Sequence, residues 1–108
     1  MLIAIAGPYS ADSADKRQRN LDALNQAAVE VLRLGHTPVI GVNAALPISQ
    51  QLEPEDQYET IMSISLALVG KCDGILVLGE SPGVIRELRL IESKNLPVYR
   101  HLNEIPRA

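Results

Sequence analysis

Large aromatic side chains and cysteine are almost missing from this chain. Its 108 residues include no Phe, no Trp, three Tyr and one Cys, Cys72. Without large rings the core must be aliphatic, built from Leu, Ile, Val and Ala, which suits layers of sheet and helix. A lone cysteine excludes an internal disulfide framework and a cysteine zinc cluster. The two histidines, His36 and His101, lie too far apart in sequence to supply a metal site instead. We therefore expect no metal, no cofactor and a reducing, cytoplasmic setting. Basic residues are scarce as well: 10 Lys and Arg stand against 13 Asp and Glu, for a net charge of −3. Binding to a phosphate backbone needs clustered Lys and Arg, and the run KRQR at 16–19 is too short, so no nucleic-acid partner is expected. A small anionic ligand stays open. No long hydrophobic run exists either; the apolar stretch MLIAIAG has seven residues, no basic leader and meets Pro8 at once, so it reads as neither signal peptide nor membrane span.

What is present is an alternation of strands and helices. LIAIA at 2–6, bounded by Gly7-Pro8, has the pattern of a parallel strand covered on both faces. From about Ala14 to Leu34 the apolar residues Leu21, Leu24, Ala28, Val31 and Leu32 recur at helical spacing, with Asp12 or Ser13 as N-cap and Gly35 as the stop. TPVIG at 37–41 reads as a second strand. Residues 42–57, with two prolines and no clean period, read as a long loop. Helix returns at about Pro54 to Val69, followed by a strand GILVL at 74–78, a helix Pro82 to Lys94 and a strand LPVYR at 96–100. The order predicts one three-layer α/β domain over 1–108. Its parallel sheet, Rossmann-like or flavodoxin-like, has four to five strands in the order 2-1-3-4, with helices on both faces. The segment IMSISLALV at 61–69 is apolar nearly all round, more than one sheet face needs, which suggests a homodimer.

In such sheets the ligand lies outside the carboxyl ends of the strands where the winding reverses. Two loops flank that point, Gly7-Pro8-Tyr9-Ser10 and Gly79-Glu80-Ser81-Pro82-Gly83. Neither contains the dinucleotide-binding pattern of three spaced glycines. Ser81 followed by Pro82 is a helix start, and the amides of Gly83 and Val84 would then face an anion. Glu87 stands one turn on, over a glycine, at the margin of the apolar stripe formed by Val84, Leu88 and Ile91. Geometry alone leaves it either a chemical group or a solvated charge. Tyr9 is likewise a turn residue or a crevice residue, and Asn20 a packing or a site residue. Arg17 and Arg19 read as a solvated face, Glu80 as loop charge and His36 as a turn residue. Asp73 reads as structural, and Cys72 as a small buried side chain.

IAIAGPYS at 3–10, Asn20, GHTPVI at 35–40, CDGILVL at 72–78 and SPGVIRE at 81–87 together resemble the nucleoside 2-deoxyribosyltransferase superfamily. The nearest groups are the nucleoside 5'-monophosphate N-glycosidases and short GPYS-type relatives, and the likeness covers about residues 2–100. Its specific part is SxGxxxE joined to AGPY. The resemblance implies cleavage of an N-glycosidic bond in a small-molecule nucleoside or nucleotide. Glu87 would be the nucleophile that forms a glycosyl-enzyme ester, and Tyr9 would orient it. Gly7, Pro8, Ser10 and Asn20 would help bind substrate, and Ser81 with Gly83 would cradle phosphate or sugar. Serine at 81 matches the monophosphate branch, and the base would lie toward 42–57. The chain departs from the pattern at Ser65, where active relatives usually carry Asp. That departure keeps a non-catalytic nucleotide-binding or sensing module of the same fold as the alternative.

Overall fold

The computed structural model describes Met1–Ala108. Strand β1 (Leu2–Ala6) is followed by α1 (Ala14–Arg33), β2 (Thr37–Val39), α2 (Gly41–Ser49), α3 (Pro54–Val69), β3 (Gly74–Val77), α4 (Pro82–Ser93), β4 (Val98–Tyr99) and a 3-10 turn at Leu102–Glu104. All strand pairs are parallel and the order is β2-β1-β3-β4, as the alternation predicts. Ala4 pairs with Val39 on one side and Ile75 on the other, so β1 and β3 form the middle of the sheet and the winding reverses between them.

Alternation along the strands sorts two cores. Ile3, Ile5 and Leu76 pack with Leu24, Ala27 and Val31 of α1 and with Ile105. Ala4, Ala6, Ile75 and Val77 pack with Val69, Cys72, Val84 and Ile91, beneath α3 and α4. Both faces of the central strands are dry, which is why β1 and β3 read as unbroken apolar runs. The edges are short, three residues in β2 and two in β4, and Pro38 sits on the β2 edge, where a missing donor is tolerated.

Local signals at the helix ends hold up. Ser13, not Asp12, caps α1, its side chain accepting from the Lys16 amide, and Gly35 follows the helix with φ +91°, a conformation that suits glycine. Asp73 is structural: its carboxylate accepts from the Leu2 amide at 2.7 Å and its own amide donates to the Leu2 carbonyl at 2.7 Å, which ties β3 to β1. His36 is more than a turn residue. It is buried, with Nδ1 3.0 Å from the Met1 amine and Nε2 2.5 Å from the Pro106 carbonyl.

Two expectations need correction. The long loop at 42–57 contains a helix, α2, leaving only Gln50–Glu53 between it and α3. Its buried residues are Gly41, Ala45 and Ser49, a stripe of small side chains at four-residue spacing. This stripe allows very close packing: a Cβ on Gly41 would lie 2.0 Å from Ser65 Oγ and 2.8 Å from its Cα. Helix α2 lies along α3 and covers much of its apolar surface, leaving Ile61, Ile64, Leu66 and Leu68 only partly exposed. The segment at 61–69 thus packs on a helix as well as on the sheet. Second, Leu32 does not belong to the buried stripe of α1; it is 57% exposed, and Ala27 takes its place in the core. No helix is long and apolar enough to cross a membrane.

Candidate active site

At the carboxyl ends of β1 and β3 lies a cavity of about 470 Å³. The first loop enters it because α1 pins that loop from outside. Asn20 Nδ2 donates to the Tyr9 carbonyl at 3.0 Å and Arg17 Nη1 to the Ala11 carbonyl at 3.0 Å. The second loop abuts the first, so that a Cβ on Gly79 would lie 3.1 Å from Pro8 Cδ. Gly7, Pro8, Tyr9, Ser10, Ser81, Gly83 and Glu87 all border the cavity. Asn20 does not; it holds the loop that carries Tyr9. Arg17 likewise braces backbone, while Arg19 and Glu80 are exposed and line nothing.

Ser81 begins α4 by accepting from the Val84 amide at 3.2 Å. Pro82 has no amide proton and the Val84 donor is taken, so of the first three helical amides only that of Gly83 is left for a ligand. The expected pair of open amides is reduced to one. A Cβ on Gly83 would come within 3.0 Å of Met62 Sδ, near the flexible end of that side chain.

One turn beyond, Glu87 points into the cavity and is the only charged side chain among its 19 lining residues. The walls around it are mostly aliphatic: Leu24, Ile40, Val42, Ile61 and Met62. Burial among them pushes the carboxyl from its ordinary 4.5 up to about 7, while the Ser65 hydroxyl donates to it and pulls the other way. Near neutral pH the carboxyl therefore exists in both forms, a property that suits a group exchanging roles in a reaction. Cys72 is no rival nucleophile. Burial, with Asp73 and Glu87 nearby, pushes its thiol up to about 11, and it donates to the Leu68 carbonyl at 3.5 Å.

The chain matches no model of a known protein family and no curated protein. Several residues of the site were not foreseen from sequence: Tyr58, Ile61 and Met62 from α3, and Gly41 and Val42 from α2; Ser65, singled out through the resemblance, shares the α3 face. Those of α3 fall on positions i, i+3, i+4 and i+7, one face of a helix. That spacing is visible in the sequence, but it marks a shared face without saying what the face looks onto. No group of three or more His, Cys, Asp or Glu is placed to hold a metal ion.

Proposed function

We propose that the protein cleaves the N-glycosidic bond of a nucleoside or nucleoside 5'-monophosphate, with Glu87 as nucleophile and Tyr9 orienting it. The observation that carries this reading is a single carboxylate facing a largely aliphatic cavity of about 470 Å³, with no cation beside it. A Glu87 oxygen bonds to the anomeric carbon as the bond from that carbon to the base nitrogen breaks. The electron pair leaves with the base, which takes a proton from water because the cavity holds no second carboxyl. Water then opens the ester and restores the carboxylate, or a second base does so by transfer. An apolar surround strengthens attraction between the carboxylate and the oxocarbenium-like centre. The scheme needs no cofactor and suits a reducing, cytoplasmic setting.

Between the two substrate classes, the lining favours the uncharged nucleoside. It includes no Lys, Arg or His, and the α4 terminus has one spare amide where a phosphate dianion would want several donors and a cation. A homodimer belongs to the same proposal, the apolar segment at 61–69 being partly exposed beside α2; a monomer by light scattering at micromolar concentration would refute it.

The test is release of free base from a panel of nucleosides and nucleotides, followed by chromatography. Release is expected from wild type, with kcat/KM rising through pH about 7 to a plateau as Glu87 ionises. Base release undiminished in Glu87→Ala refutes the assignment. Ser65 supports a second reading, a binding or sensing module that lacks the acid partner. Calorimetry showing tight binding of an intact nucleotide with no turnover over hours would favour it.

A further inference from the structure

The three aromatic side chains are unevenly placed. Tyr99 packs against the core on the α1 side. Tyr9 and Tyr58 both border the cavity. Tyr58 stands at one end of the α3 face that continues through Ile61 and Met62 to Ser65, and Ser65 contacts Glu87. Seven residues of helix separate the two ends by about 10 Å along the axis. A ring attached to a sugar carbon held at Glu87 has room along this face toward Tyr58.

Tyr58 is 47% exposed although it borders an apolar recess. Its neighbour Glu59 is braced from outside, with Arg86 Nη1 donating to both carboxylate oxygens at 2.9 and 3.0 Å. That turn of α3 is thereby tied to α4. A half-exposed aromatic ring bordering a largely apolar cavity offers a face to another planar ring.

We propose that Tyr58 is the wall against which the planar heterocycle of the ligand packs. The inference rests on the site reading above and assigns the base-binding contact to α3. It is tested by calorimetric titration of wild type, Tyr58→Phe and Tyr58→Ala with adenosine and with cytidine. Melting temperatures are measured alongside to show that the exposed substitutions leave the fold intact. Tyr58→Ala should weaken nucleoside binding about tenfold or more, the usual loss when a base-stacking ring is removed, and Tyr58→Phe should stay near wild type. Equal affinity in wild type and Tyr58→Ala overturns the inference. If Glu87-dependent base release persists while Tyr58→Ala leaves KM unchanged, the wall alone fails and the glycosidase reading stands. Binding that depends on Tyr58 without base release keeps the wall and defeats the glycosidase. A wild-type protein that binds neither nucleoside overturns both.

Discussion

Glu87 opposes the fold whenever it is ionised. Its carboxyl sits at about 7 in the folded chain against an ordinary 4.5, so the folded state holds the proton more tightly than the unfolded one. This contribution to stability is complete below about pH 4.5 and is lost as pH rises through 7. Above that, the buried charge costs at most about 3 kcal/mol, less to the extent that the group is partly solvated. Glu87→Gln, which cannot ionise, should therefore stabilise the protein by about 1–3 kcal/mol at pH 8. At pH 4 it should change little. Urea unfolding at the two pH values checks this, and equal effects at both would show that the carboxyl is not desolvated. Part of the cavity lining was legible at this scale. The residues of the two loops, with Glu87, were placed by the switch-point rule together with the direction helical side chains lean. Asn20 was legible as a residue but not in its role, because its amide reaches a carbonyl eleven positions away and no local rule reports such a contact.

Among the elements, α2 was the one not foreseen. Pro47 lies inside it, Ile40 offers no side-chain cap, and its small buried residues show no ordinary apolar stripe. Local propensity therefore argues for a loop, and packing on α3 overrides it. The signal was present as Gly41, Ala45 and Ser49 at four-residue spacing, a pattern that acquires meaning only with a partner helix to approach. Two glycines test the account. Gly41→Ala would drive a methyl into Ser65, including its Cα at 2.8 Å, and should cost about 3 kcal/mol or more. Gly83→Ala meets only the flexible end of Met62, so its net effect should lie within about 1 kcal/mol. Denaturation midpoints of the two variants measure the difference; similar losses would mean that α2 is not seated on α3 as described.

At the scale of the molecule, one parallel sheet separates two aliphatic cores, and aliphatic residues of equal size have opposite consequences on either side of a surface. Ile75 is fully buried in the middle strand, whereas Leu32 is 57% exposed on α1. Ile75→Ala should cost about 2–5 kcal/mol and Leu32→Ala within about 0.5 kcal/mol, read from chemical unfolding. A large loss from Leu32→Ala would show that α1 turns a different face to the sheet. Strand and helix order, the parallel 2-1-3-4 sheet and the crevice position follow from periodicity and connection length, because those properties act between near neighbours and under few topological alternatives. Three features required the folded arrangement: the helix α2, the α3 face that lines the cavity, and the raised carboxyl of Glu87. Each arises from groups far apart in the chain excluding water from one another, and that exclusion has no counterpart in the order of residues along it.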